Sequence, residues 1–182
     1  SGNTKQISDY LVDFAKKHGF DYVQDEMNNV VIYKPASKGY ENAPTVILQG
    51  HMDMVCEKRP GVEHDFEKDG LNLSVRDGYI SANGTTLGGD DGIAVAYALA
   101  LLDSTDLPHP ALEVLITVDE EIGLLGAVGL DCSVLKGKRM ITLDQLCRRT
   151  FSSQQYSGAE NRSRGNQTSG QDLRTDGWTF RS

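Results

Sequence analysis

His51 and Asp53 stand out in this 182-residue sequence as a pair whose residue types and spacing could do chemistry. They follow the apolar residues 45–48, which predict a buried strand bounded by Pro44 and Gly50. Because side chains alternate along an extended chain, His51 and Asp53 should point the same way. An imidazole and a carboxylate then emerge together at the carboxyl end of a core strand, where α/β folds place their functional groups. The alternative is a strand end that is merely polar.

Further acidic residues stand where predicted elements meet loops: Glu120 and Glu121 after one apolar strand, Asp144 after another, and Asp90 and Asp91 where a glycine-rich loop enters an apolar helix. Neighbouring carboxylates repel each other, and packing them near an apolar core is unfavourable without a cation. A divalent metal offsets that charge. Mixed histidine and carboxylate ligands suit zinc or a neighbouring first-row metal better than magnesium or calcium.

The number of candidate ligands exceeds the four of a single tetrahedral site. Two metals bridged by one carboxylate would use them, and one remaining carboxylate could serve as a general base on a metal-bound water. Simpler roles stay open for the individual pairs. Two aspartates can cap a helix N-terminus, and two glutamates can lie in a solvated loop.

Two other site types fit the residues poorly. The segment 88–92 is rich in glycine, but it lacks the P-loop lysine and the GxGxxG order, and its two carboxylates would repel a phosphate. Cys56 has no neighbour in sequence that would activate it as a nucleophile. His18, His64 and His109 lie in charged or proline-flanked segments that are typical of surface residues.

Composition excludes several classes of protein. The net charge of −8 argues against a nucleic-acid-binding surface, and no apolar run approaches the roughly 20 residues of a membrane span. The first residues show no signal-peptide pattern. The three cysteines have no metal-binding spacing and fit free thiols in a reducing cytoplasm. We therefore expect a cytoplasmic protein with neither a nucleic-acid nor a membrane partner.

The elements that position these residues follow from apolar periodicity. Helices are predicted over residues 4–18, 93–102 and 123–130, and strands over 29–33, 45–49, 71–75, 79–82, 111–118 and 139–143. The strands at 71–75 and 79–82 flank a turn and should form a hairpin. Apolar strands that alternate with helices indicate an α/β fold with a mainly parallel sheet covered by helices.

Composition changes near Asp144. Residues 1–144 carry a net charge of −11, whereas residues 145–182 carry +3 and contain no Val, Ile or Lys. We therefore predict two parts, a folded domain over 1–144 and a disordered tail over 145–182.

Three motifs give the sequence a family resemblance. Residues 49–58 (QGHMDMVCEK), 85–94 (TTLGGDDGIA) and 117–123 (TVDEEIG) resemble the aminoacyl-histidine dipeptidases of the zinc aminoacylase and carboxypeptidase superfamily of metallopeptidases. The resemblance covers roughly residues 1–144. It implies a three-layer, zinc-exopeptidase-like catalytic domain with a mainly parallel central sheet.

The resemblance also implies a ligand set for two Zn²⁺ ions, with Mn²⁺ or Co²⁺ as substitutes. His51 and Asp144 are similar to the ligands of one metal, and Asp90 is similar to the bridging carboxylate, often followed by a cis peptide to Asp91. Glu121 is similar to a ligand of the other metal.

Two catalytic roles follow from the same resemblance. Glu120 resembles the general base, and Asp53 resembles the group that orients the base or a neighbouring ligand. The implied activity is exopeptidase hydrolysis of dipeptides, Xaa-His among them, by a metal-bridged water.

The sequence also departs from that family. Family members form homodimers through an inserted lid and dimerisation domain, and a later segment supplies a distal histidine ligand. Neither is recognisable here, so we expect an incomplete catalytic domain followed by a tail unrelated to the family. An inactive remnant that still binds metal, or a related N-acyl amino acid deacylase or tripeptidase, remain alternatives to an active dipeptidase.

Overall fold

The computed structural model describes residues 1–144. Within them the chain divides into two compact units, one formed by Ser1–Glu57 with residues 88–144 and the other by Lys58–Leu87. The first unit contains helices α1 (Lys5–His18), α2 (Gly89–Asp103) and α3 (Leu125–Gly129), a 3₁₀ helix (Cys132–Val134), and strands β1 (Asp21–Gln24), β2 (Val30–Lys34), β3 (Val46–His51), β6 (Leu112–Thr117) and β7 (Arg139–Thr142). The second unit contains β4 (Leu73–Arg76) and β5 (Tyr79–Ala82). The predicted tail at 145–182 lies outside the described residues.

The first unit is built on a five-stranded sheet in the order β1-β2-β6-β3-β7. Strand β3 pairs in parallel with β6 and with β7, while β2 is antiparallel to both β1 and β6. Four strands therefore run in one direction and only β2 runs in the other. The predicted mainly parallel sheet is confirmed with this one exception, which the short connection from β1 to β2 produces.

Side-chain alternation sends the residues of each strand to two covered faces. On one face, Val30 and Ile32 of β2 and Val114 and Ile116 of β6 form a core with buried residues of α1 and α2. On the other face, Val31, Ile47 and Leu115 pack against Leu130, Val134 and Leu135. The predicted three-layer α/β arrangement is confirmed.

Helix α1 begins within one residue of the prediction and ends where it was expected. Leu11, Val12 and Ala15 lie on its buried side, as the spacing of an amphipathic helix requires. Gly19 adopts a left-handed conformation with φ of 71°, and its N–H bonds the carbonyl of Lys16, which ends the helix in the usual glycine-capped manner.

The second unit confirms the predicted hairpin. Strands β4 and β5 pair antiparallel, and Asp77 and Gly78 both have positive φ angles of 52° and 79°. Two successive positive φ angles are typical of the tight turns whose twist matches that of the strands. Within residues 1–144, no helix has the length and apolar character needed to cross a membrane.

Candidate metal centre

The carboxyl ends of three parallel strands meet at one edge of the sheet. His51, the last residue of β3, lies opposite Thr117, the last residue of β6, and β7 runs parallel beside them. The loops that follow these strands therefore begin next to each other. They carry the predicted site residues Asp53, Glu120, Glu121 and Asp144, while Asp90 comes to the same edge at the start of α2.

His51 lies at the centre of this edge and is only 1% exposed. Its Nδ1 lies 3.0 Å from the backbone carbonyl oxygen of Asp53. Because a carbonyl oxygen can only accept a hydrogen bond, Nδ1 carries a proton and donates it. Nε2 points the other way, 3.2 Å from Asp90 Oδ1 and 3.8 Å from Glu120 Oε2. Nε2 is thus the atom that a cation could take, and the Nδ1 bond orients the ring for it.

His51 belongs to two overlapping sets of potential ligand residues. His51, Asp90 and Asp144 each offer an atom within 4.8 Å of the others, and His51, Glu120 and Glu121 do the same. An imidazole nitrogen with several carboxylate oxygens matches the donors that zinc and its neighbours prefer. The described residues thus fit a site for a divalent cation, and the overlap of the two sets at His51 provides more ligand atoms than one tetrahedral ion would need.

Asp53 lies under the loop that carries the two glutamates, and its side chain is 0% exposed. Its Oδ1 accepts the backbone N–H of Glu120 at 3.0 Å, and its Oδ2 accepts that of Glu121 at 3.2 Å and the hydroxyl of Ser1 at 2.7 Å. The carboxylate also lies 3.3 Å from His51 Nδ1. It therefore holds the ring and both glutamate amides in fixed positions.

Asp90 and Asp91 occupy different environments although they are adjacent. They are joined by a cis peptide bond and have non-helical backbone angles at the start of α2. Asp90 faces His51 Nε2, whereas Asp91 is 1% exposed and its Oδ2 accepts the backbone N–H of His51 at 3.2 Å. The residue at the N-cap position of α2 is Gly88, and no side chain caps this helix with a hydrogen bond. Asp91 thus anchors the end of β3, which differs from an N-capping role.

Burial and mutual repulsion act on the carboxylates of the site. Burial raises the pKa of Asp91 to about 7. Burial first, then neighbouring carboxylates, raise the pKa values of Glu120, Glu121 and Asp144. These groups crowd negative charge into a partly buried space, which is the condition that a bound cation relieves.

The pKa values of His51 and Asp53 shift in the directions that favour an ion pair between the two side chains. Burial opposes the charge on His51, but its hydrogen bonds with Asp53 and Asp90 raise the pKa of the imidazole to about 11. Burial likewise opposes ionisation of Asp53, yet hydrogen bonds from His51, Ser1 and the Glu120 and Glu121 amides hold the pKa of that carboxyl well below its usual range. Both pKa shifts favour a protonated imidazole beside an ionised carboxylate.

All six residues predicted for the site come together: His51, Asp53, Asp90, Glu120, Glu121 and Asp144. The other histidines within residues 1–144 belong to neither ligand set. His18 stacks against Phe14, and His109 Nδ1 lies 2.7 Å from the Pro110 carbonyl oxygen. Cys56 is an exposed free thiol that points its Sγ to a backbone carbonyl.

Three contributions were not predicted from the sequence: the anchoring role of Asp91, the Ser1 hydroxyl on Asp53, and Asn29, whose buried amide bonds the glutamate loop. Asp91 had a signal, because it directly follows Asp90 where the glycine-rich loop enters an apolar helix. Ser1 and Asn29 had none, since their partners lie 52 to 97 residues away along the chain.

Comparison with known proteins places this geometry in context. Peptidase family M20/M25/M40 matches residues 47–144. The cytosol non-specific dipeptidase of Escherichia coli (strain K12) is 42% identical over 144 residues, which cover 79% of this chain and 30% of that protein.

Solved structures give the same picture. Aminoacylhistidine dipeptidase from Vibrio alginolyticus has 41% identity and a TM-score of 0.77, covering 80% of this chain and 30% of its own. A tripeptidase from Staphylococcus aureus has 28% identity and a TM-score of 0.65, covering 80% of this chain and 39% of its own. The chain thus spans between 30% and 39% of the length of these relatives.

Proposed function

This chain belongs to peptidase family M20/M25/M40, and we propose that it is the metal-binding portion of a metal-dependent dipeptidase. The family resemblance inferred from the three motifs is confirmed by that membership. The proposal for the activity rests on one observation, the convergence of two ligand sets on His51 at the carboxyl edge of the sheet. The relatives named as dipeptidases and a tripeptidase support peptide hydrolysis as the reaction class.

Four residues are the proposed ligands of two zinc ions. His51 and Asp144 would hold one ion, Glu121 would hold the other, and Asp90 would bridge them. When bound, such a pair of ions polarises a peptide carbonyl and makes water a better nucleophile at neutral pH. Mn²⁺ or Co²⁺ would suit the same donors.

Glu120 is the proposed general base. Its carboxylate lies 3.8 Å from His51 Nε2, at the edge of the ligand set, and its side chain is 25% exposed, so it can reach both the site and solvent. Burial raises its pKa, which improves its ability to accept and then return a proton near neutral pH. Its neighbour Glu121 would remain a ligand while Glu120 moves the proton.

Asp53 is the proposed positioning residue for both steps. It receives the backbone N–H groups of Glu120 and Glu121 and touches the His51 ring. A single buried carboxylate thereby links the base to two proposed ligands. Groups that orient ligands in this way commonly change metal affinity and activity when they are replaced.

The proposed substrates are dipeptides, including those with a C-terminal histidine, because one similar protein is named a cytosol non-specific dipeptidase and another an aminoacylhistidine dipeptidase. The matched part of this chain spans only 30% of the length of those relatives. We propose that the remaining length of such proteins supplies the contacts with the substrate, the distal metal ligand and the dimer interface. We also propose that the protein is cytoplasmic.

Dipeptide hydrolysis by the 182-residue chain with added zinc or manganese tests the activity, and Glu120→Gln is the matched control. Release of amino acids above the level of that variant supports the proposal. A rate equal to that of Glu120→Gln refutes catalysis by this chain.

Metal binding without catalysis is the second candidate, because the chain spans only 30% of its dipeptidase relatives. Calorimetric titration with zinc separates the two. Binding that His51→Ala abolishes, together with a rate equal to that of Glu120→Gln, identifies a metal-binding remnant. Absence of zinc binding refutes both candidates.

A further inference from the structure

The loop that carries Glu120 and Glu121 has a conformation that its own residues do not favour. Asp119 and Leu124 have positive φ angles of 51° and 60°, in the left-handed region that non-glycine residues seldom adopt. Such angles persist when surrounding contacts determine them. The contacts that hold this loop therefore decide where the two glutamates point.

The two ends of the loop lie against each other. Gly126 N–H donates to the Val118 carbonyl oxygen at 3.1 Å, and Leu125 N–H donates to that of Asp119 at the same distance. Val118 directly follows β6 and is 1% exposed, while Gly126 lies in α3 and is also buried. The loop is thus a closed turn whose base lies in the protein interior.

Asn29 bonds both ends of this turn. It directly precedes β2 and is 1% exposed. Its Oδ1 accepts the backbone N–H of Val118 at 3.0 Å, and its Nδ2 donates to the carbonyl oxygen of Gly126 at 2.9 Å. The second Nδ2 hydrogen goes to Asp25 Oδ2 at 2.7 Å. Both donors of the amide are used, so its orientation is determined.

Gly126 packs so closely against Asn29 and Val118 that it has no room for a side chain. A Cβ placed on Gly126 would lie 2.4 Å from the Val118 carbonyl oxygen and 2.5 Å from Asn29 Oδ1. Asp25 Oδ1 also accepts the backbone N–H of Asn29 at 2.9 Å, which fixes the Asn29 backbone just before β2. The clamp is therefore closely packed at the loop and anchored in the connection between β1 and β2.

We propose that Asn29 is a positioning residue that clamps the loop 118–126 and so sets the places of Glu120 and Glu121 in the metal centre. Asp53 holds the middle of the loop through the two glutamate amides, and Asn29 holds its ends. The consequence for metal binding rests on the proposed function, whereas the clamp itself does not.

A double variant isolates the contact that matters. Asp25→Asn/Asn29→Asp exchanges the two side chains. The acceptor for Val118 N–H and the bond between positions 25 and 29 can re-form, but the Gly126 carbonyl oxygen loses its donor and faces a carboxylate. The single variant Asn29→Asp also loses the bond between positions 25 and 29, and it places two carboxylates together. It should therefore be the more severe change.

Ser8→Ala provides the matched control. The Ser8 hydroxyl is 0% exposed and donates to the Asn28 carbonyl oxygen at 2.8 Å, beside Asn29 but without contact to the loop. Its removal costs this bond and the one that the hydroxyl accepts from Gln24 Nε2 at 2.7 Å, both at the same corner of the fold. A general loss of stability should therefore appear in both variants, and a displaced glutamate loop only in the exchange variant.

Amide hydrogen exchange of the metal-free 182-residue chain tests the clamp. In the double variant Asp25→Asn/Asn29→Asp, the amide hydrogens of residues 119–126 should exchange at least about tenfold faster than in Ser8→Ala. The hydrogen-exchange rates of strands β3 and β6 should change equally in both variants. Equal exchange of the loop in the two variants overturns the proposal.

Cobalt(II) and zinc titrations test the consequence for the metal centre. The exchange variant should bind zinc about 10- to 100-fold more weakly than the unsubstituted chain and show an altered visible absorption of cobalt, while Ser8→Ala retains both properties. Unchanged affinity and spectrum in the exchange variant overturn the positioning role. If the unsubstituted chain binds neither ion, the proposed function fails. The amide hydrogen-exchange measurement alone then tests whether Asn29 holds the loop.

Discussion

Replacement of Asp53 by asparagine removes a charge from the point where His51 and the glutamate loop are joined. The carboxylate accepts two backbone N–H groups, from Glu120 at 3.0 Å and from Glu121 at 3.2 Å. An amide offers only one oxygen in the same place, so one of the two N–H groups must face an NH₂ group.

The expected magnitude follows from these contacts. Each hydrogen bond to a buried charge contributes about 1.5–3 kcal/mol, and an unsatisfied buried donor costs about 1–3 kcal/mol. Asp53→Asn loses one such bond and leaves one donor without an acceptor, so we expect the free energy of unfolding to fall by about 2.5–6 kcal/mol. Loss of the orienting contact to the ligands should also weaken zinc binding about 10- to 100-fold.

Urea denaturation followed by circular dichroism measures the first effect, and calorimetric titration with zinc measures the second. Asp131→Asn is the control, because the exposed Asp131 carboxylate also accepts a backbone N–H, from Ser133 at 2.9 Å, and asparagine serves equally well in such a cap. We expect it to leave both quantities unchanged. Zinc affinity of Asp53→Asn within threefold of the unsubstituted chain would refute the link between Asp53 and the ligands.

Three further predictions concern other parts of the first unit. Gly50→Ala places a Cβ 2.7 Å from Asp91 Oδ2 and should lower the free energy of unfolding by about 1–3 kcal/mol, whereas Gly92→Ala, with open space around its Cβ, should not; urea denaturation compares them. Asp144→Asn should weaken zinc binding at least about tenfold in calorimetry, and an unchanged affinity would remove Asp144 from the ligand set. Lys34→Met removes a side-chain ammonium that donates to three carbonyls at the end of α2, so thermal unfolding should show a loss of about 1–2 kcal/mol, and no loss would mean that solvent replaces it.

The sheet and the site edge could be predicted because their signals are local. Strands β3, β6 and β7 are apolar runs that end in polar residues, and parallel strands bring their carboxyl ends to one edge. That rule alone predicted the meeting of His51 with Glu120 and Asp144, which are 69 and 93 residues further along the chain.

Features without a local apolar signal could not be predicted. Strand β1 is short and partly exposed, and it exists because β2 pairs with it. In the sequence, Asn29 is only the first residue of the predicted strand 29–33. Its role depends on hydrogen bonds to Val118 and Gly126, which are 89 and 97 residues away and arrive there only when β2 pairs with β6.

These distant contacts explain how the fold holds a group of carboxylates together. Burial raises the pKa values of Glu120, Glu121 and Asp144, so their ionisation opposes folding in the absence of a cation. Burial and repulsion act on the carboxylate side chains, whereas the hydrogen bonds that hold the loop act on its backbone. Asp53 holds the glutamate amides, and Asn29 holds the ends of their loop. The backbone can therefore keep the proposed ligands and the proposed base together, and we expect a bound cation to relieve repulsion that the fold already tolerates.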